Sequence, residues 1–266
     1  MTPDTSESAE PVSEGTRLPP VCLVLLGASN LSRGCFALVR NLEAGLHPRR
    51  VEAAIASGPG RAYCVPGGLL NVAYPPIQSC GVLEAAKKKY DEGFRVLALV
   101  TDIGNDIMYG VSADDLIATL EQMFGQLAAM EARVCFTTLP IRIERGIHPA
   151  WYYTLRTLLL PSSRVSYEEA RSAIRRVNQY LNDTASRKAE RVPDMDRYLG
   201  YDEIHYKWLQ GHRAWSHMAR SLLGELGVSP GRAISFREMI RSYGEELRKV
   251  VGVDMAGIRA MPPGHF

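Results

Sequence analysis

Short apolar runs alternate along this 266-residue chain with stretches of helical spacing, and that alternation leaves few folds open. The runs cover 21–26, 51–56, 96–101 and 134–139, with a weaker candidate strand near Tyr198. Between them lie amphipathic segments. Ser112 is placed to cap one, after which Leu116, Ile117, Leu120, Met123, Phe124 and Leu127 recur at helical spacing. Ser166 and Glu169 have the spacing of a capping box, and Ala170, Ile174, Val177 and Leu181 follow on one face. Strands that alternate with helices pair in parallel, because each helix supplies the crossover and covers a face of the sheet. The expected fold is α/β: a three-layer α/β/α sandwich around a central, mainly parallel five-stranded sheet.

The chain is long enough, at 46% apolar and 23% charged residues, to bury a full core as one main domain, expected over 19–228. The first residues are polar and acidic, without the basic start and apolar core of a secretory leader, so 1–18 is expected to be a disordered tail and the protein cytoplasmic. The run 21–26 is too short for a membrane span. Residues 229–266 read as an accessory helix, about 235–251, followed by a tail. That segment fits either packing on the domain or oligomerisation. A net charge of +2 argues against nucleic acid as a partner, and Lys87, Lys88 and Lys89 read as a solvated helix face. Cys22, Cys35, Cys64, Cys80 and Cys135 are odd in number and lack metal-ligand spacing, so they are expected to be free thiols, mostly buried.

Chemistry enters with Asp202 and His205, three residues apart, and with Ser29, which follows the first apolar run in a small-residue turn. A hydroxyl is a weak nucleophile until an imidazole takes its proton and a carboxylate fixes the imidazole's tautomer. The order Ser, Asp, His therefore suggests acyl transfer. Two further segments follow apolar runs: Ser57-Gly58-Pro59-Gly60-Arg61, and Asp102-Ile103-Gly104-Asn105-Asp106. Open α/β sheets place their ligands at such strand ends. A helix is expected to begin near Ser32, and Trp208, Leu209, Trp215 and Met218 to form the apolar face of the helix after His205.

Read together, Gly27-Ala28-Ser29-Asn30, the Gly58/Gly60 segment, the Gly104-Asn105-Asp106 segment and Asp202-Glu203-Ile204-His205 resemble, in order, the four blocks of the SGNH (GDSL-type) hydrolase family, across residues 20–225. The resemblance implies an SGNH-hydrolase/flavodoxin-like sandwich and a metal-independent serine esterase without cofactor, acting on a small-molecule ester. Ser29 would be the nucleophile, His205 the base and Asp202 its orienting acid. The oxyanion hole would comprise the Ser29 N–H, the N–H of Gly58 or Gly60, and the Asn105 amide, with Asp106 as an anchor. The chain departs from the family at Ala28, where the namesake motif has an aspartate.

An acyltransferase would use the same triad, since it differs only in what attacks the acyl-enzyme. A catalytically silent binding or scaffold protein would be marked by a lost triad member, and none is lost. The turn from Gly27 to Gly34 also resembles the cofactor turn of short-chain dehydrogenases. Its glycine spacing is wrong, and no tyrosine has a lysine four residues on. His212 reads as structural, and His47, His148, His217 and His265 have no partner pattern. The aromatic stretch 145–153 reads as a loop or short helix, more simply a packed surface than a pocket wall.

Overall fold

The computed structural model describes residues 18–69, 72–183, 189–229, 231–257 and 261–266. The tail expected over 1–18 lies, apart from Leu18, outside the described residues. Among these, the chain forms a five-stranded, all-parallel sheet in the order β2-β1-β3-β4-β5, from β1 (Val21–Leu26), β2 (Val51–Ala56), β3 (Arg95–Val100), β4 (Arg133–Phe136) and β5 (Glu190–Arg191).

The two-residue period of the central strands builds two cores. Val21, Leu23 and Leu25 of β1 face one side with Leu97 and Leu99. They meet Leu31, Leu38 and Leu42 of α1 (Ser29–Leu46) and Trp215 and Met218 of α8 (Gly211–Gly224). Cys22, Val24 and Leu26 face the other side, against α2 (Val82–Asp91), α4 (Ala113–Ala129) and α7 (Tyr167–Asp183). A strand buried on both faces has no polar side to show, which is why β1 is apolar throughout. The caps at Ser112 and Ser166 form as expected: Asp115 N–H donates to Ser112 Oγ (3.1 Å), and Glu169 N–H to Ser166 Oγ (3.3 Å) while Glu169 accepts from Ser166 N–H (2.7 Å).

The last strand is not near Tyr198. Tyr198 ends a 3-10 turn (Met195–Tyr198), and the fifth strand is the exposed Glu190–Arg191, paired to Cys135 and Phe136. An edge strand this short and polar carries no apolar run for a sequence to display. β4 stops at Phe136 rather than 139, because Asn178 of α7 takes over the backbone of Leu139, accepting from its N–H (2.9 Å) and donating to its carbonyl (3.2 Å). Trp208 and Leu209 do not join the apolar face of α8. They sit before it on a 3-10 turn, 55% and 70% exposed, with the Trp208 ring stacked on Tyr243 at 4.1 Å.

Residues beyond 228 pack on the same chain. α9 (Phe236–Lys249) opens with a capping box between Ser235 and Glu238 and lies along α1, where Ser242 donates to the Arg33 carbonyl (2.8 Å) and accepts from Ala37 N–H (3.3 Å). Further on, Ile55 of edge strand β2 pairs with the last residues, donating to Gly264 (2.6 Å) and accepting from Phe266 N–H (3.0 Å). Among the described residues no helix is long and apolar enough to cross a membrane.

Candidate active site

The strand order reverses beside β1: the chain leaves β1 for β2 on one side and returns to β3 on the other, opening a crevice at their carboxyl ends. Ser29 is the first residue of α1, directly after the β1 turn. Gly27 permits that turn, because a Cβ there would stand 2.8 Å from Thr101 Cγ2. The helix starts at Ser29, not near Ser32, although Ala28 offers no side-chain cap. The cap comes from β3's end: Asp102 Oδ2 accepts from the N–H groups of Ala28 and Leu31, both at 3.0 Å. Asp102 adopts a left-handed conformation (φ 56°), which an aspartate tolerates better than most residues.

Asn30 joins this turn to the histidine loop. Its amide donates to Asp102 Oδ1 (3.0 Å) and to the Ile204 carbonyl (3.0 Å), and its oxygen accepts from Tyr206 N–H (3.0 Å). In that loop Asp202 Oδ1 accepts from the N–H of Ile204 (3.1 Å) and His205 (2.9 Å), closing a turn that aims the imidazole at the crevice. Asp202 Oδ2 meets His205 Nδ1 at 2.6 Å, and His205 Nε2 meets Ser29 Oγ at 2.9 Å. Burial acts to raise the Asp202 carboxyl, but the hydrogen bonds from the His205 side chain and backbone outweigh it and hold the group down at about 2. The ionised carboxylate places the neutral imidazole's proton on Nδ1, leaving Nε2 to accept from the serine.

The two candidate glycines separate. Gly60 (φ 75°) lines the crevice. Gly58 lies against the Tyr74 ring, which a Cβ would approach to 2.5 Å, and its carbonyl closes the turn by accepting from Arg61 N–H (3.1 Å). Asn105 opens α3 (Asn105–Met108), and its amide donates to the Arg61 carbonyl (2.8 Å). Next to it, buried Asp106 accepts from the N–H of Tyr63 (2.8 Å) and Cys64 (2.7 Å), anchoring the loop after β2. The N–H groups of Ser29 and Gly60 have no hydrogen-bond partner among the described residues.

The crevice and the cavity it continues into together enclose about 150 Å³. Their lining includes Ser29, Gly60, Asn105, Asp202 and His205, and then apolar residues of α5 (Ile141–Arg145), α6 (Pro149–Leu159) and α7. The stretch 145–153, read as packed surface, instead supplies Ile147 and Tyr152 to this lining, while Trp151 and Tyr153 stay part-exposed. Among the described residues no cluster of His, Cys, Asp and Glu is arranged to hold a metal. The sequence assigned no role to Asn30, Asp102 or the α5 walls, and offered the wall of an acyl or sugar pocket only as the second reading of 145–153. Only the α6 walls left a local signal, the helical spacing of Tyr152, Leu155 and Leu159.

No family model and no curated protein sequence matches the chain. It is similar to solved structures at low identity. TesA is 18% identical over 77% of this chain and 99% of that one (TM-score 0.46). The psychrotrophic esterase EstA from Pseudoalteromonas sp. is 14% identical over 78% and 98% (TM-score 0.44). A member of the lipolytic protein G-D-S-L family from Veillonella parvula is 14% identical over 77% and 97% (TM-score 0.44). At these scores the residue roles rest on geometry within this chain alone.

Proposed function

We propose that this chain is an SGNH-type serine hydrolase that cleaves carboxylic esters through an acyl-enzyme on Ser29. The observation that carries the reading is the unbroken relay from Ser29 Oγ to His205 Nε2 (2.9 Å) and from His205 Nδ1 to Asp202 (2.6 Å), assembled at the mouth of a cavity. His205 takes the serine proton as Oγ attacks the ester carbonyl, and the Asp202 carboxylate stabilises the imidazolium that forms. The oxyanion faces the N–H groups of Ser29 and Gly60 and the amide of Asn105. Donors fixed in this way lower the barrier by about 3 kcal/mol each. His205 then passes the proton to the leaving alcohol, and water, deprotonated by the same imidazole, releases the acid. Within this reading Gly60, not Gly58, is the oxyanion glycine, and Asn30 and Asp102 are positioning residues.

An organophosphonate ester probe tests the assignment. The expected result is covalent label on Ser29 in the folded protein, lost in both Ser29→Ala and His205→Ala. Equal labelling of the parent and His205→Ala would end the triad reading. A folded parent that neither labels nor turns over any ester would favour a silent binding protein.

A further inference from the structure

We infer that the cavity behind Ser29 is an acyl-chain pocket and that the preferred substrates are esters of straight, medium-length acids of about six carbons. The inference rests on the serine-hydrolase reading and adds its substrate class. The cavity walls are Met108, Ile143, Ile147, Tyr152, Leu155 and Ile174, of which the last three have buried side chains. Two polar side chains at these walls are tied back to the chain: Tyr152 Oη donates to the Val165 carbonyl (3.0 Å), and Arg156 Nη1 donates to the same oxygen (2.9 Å), which leaves the aliphatic side chains as the main contact for an acyl chain. Crevice and cavity together enclose about 150 Å³, and a space of roughly that volume accommodates a six-carbon guest such as benzene, so the six carbons are counted from the acyl carbon at Ser29.

The two cores decide which half of the ester enters. On the α1 and α8 side, Tyr206, the residue after His205, packs against Trp215. Met108, Ile143, Ile147, Tyr152 and Ile174 belong to the opposite core. The leaving alcohol must stand beside His205 Nε2 to receive its proton, so the acyl half is directed away from His205 and into the cavity. The walls are also held in place from the catalytic side: Arg142 of α5 pairs with Glu203 (2.9 Å), and Trp151 of α6 donates to the Tyr201 carbonyl (3.0 Å).

Two ester series on the full chain test this. With p-nitrophenol constant and the acyl group lengthened from acetyl, kcat/KM should rise about fourfold per methylene, the worth of burying one. Hexanoate should then exceed acetate by on the order of a hundredfold, and longer chains should fall away. With acetate constant and the alcohol lengthened, the profile should be nearly flat. Ile174→Phe should move the optimum to shorter acids and Leu155→Ala to longer ones, the second variant serving if the first fails to fold. Binding of N-methylalkanamides to Ser29→Ala, which needs no nucleophile, should show the same chain-length order. A flat acyl series, or a rise confined to the alcohol series, overturns the pocket while phosphonate labelling of Ser29 still upholds the hydrolase. Absence of both labelling and turnover overturns the hydrolase reading itself.

Discussion

Asp102→Ala is the perturbation that best separates a positioned serine from one merely present in a turn. Asp102 takes three hydrogen bonds at 3.0 Å, from the N–H groups of Ala28 and Leu31 and from the Asn30 amide. Bonds to a charged acceptor are worth about 1.5–3 kcal/mol each, and donors deprived of a partner while buried cost the most. Ala28 and Leu31 are 1% and 0% exposed. The alanine must also hold a left-handed backbone, at a cost of about 1–2 kcal/mol. Because the crevice lets water replace part of the loss, the net destabilisation should be about 4 kcal/mol, read as a lower urea midpoint. A displacement of Ser29 by about 1 Å should lower kcat roughly a hundredfold, with KM much less changed. Asp102→Asn makes the argument sharper. Its one oxygen can keep both backbone N–H groups, but its amide nitrogen then faces the Asn30 amide. Asn30 is unable to turn over without giving up Ile204 and Tyr206. The asparagine variant should therefore fall between the parent and the alanine in both stability and kcat. An alanine variant within twofold of the parent, or an asparagine variant no better than alanine, would refute the positioning role.

Asn105→Ala should lower kcat by about a hundredfold or more with KM little changed, measured on an aryl ester; unchanged turnover would make Asn105 only a partner of the Arg61 carbonyl. The Lys249–Asp254 pair (2.8 Å) is 3% and 2% exposed and Asp254 also accepts from Tyr74 Oη (2.6 Å), so Lys249→Met should cost about 3–5 kcal/mol by leaving a buried carboxylate without its counter-charge, whereas Lys249→Met with Asp254→Asn, which keeps an acceptor for Tyr74, should recover part of it; equal losses in urea melts would contradict this. The hydrogen bond shared with Glu190, with burial, holds the Glu225 carboxyl up at about 7. A raised native value contributes stability that is full below the unfolded value of about 4.3 and is lost as pH rises through 7. Glu225→Gln should therefore flatten the fall in melting temperature between pH 5 and 8, and parallel curves for parent and variant would count against it.

The sequence by itself determined the sheet's first four strands to within a few residues and the caps at Ser112 and Ser166, and it singled out Ser29, Asp202 and His205, which the fold joins in one hydrogen-bonded series. These are local properties: a run of apolar residues, a serine three positions before an acid, or a motif complete within four residues declares itself without distant partners. Tertiary structure decided the rest. β5 exists because Cys135 and Phe136 offer an open edge to Glu190 and Arg191, two residues with no strand signal of their own. The start of α1 is set by Asp102, 71 residues from the Leu31 N–H it accepts, so no cap is visible near Ser29. Gly58 and Gly60 are equivalent as letters and are told apart by the fold: the Tyr74 ring covers the first, while the second takes a left-handed φ of 75° and lines the crevice. The walls of the cavity likewise come from α3, α5, α6 and α7, whose side chains meet only after the sheet has brought those helices to one end. Long-range partners supply the missing cap, the open edge and the enclosed volume, and a local pattern carries no record of a partner that folding alone brings near.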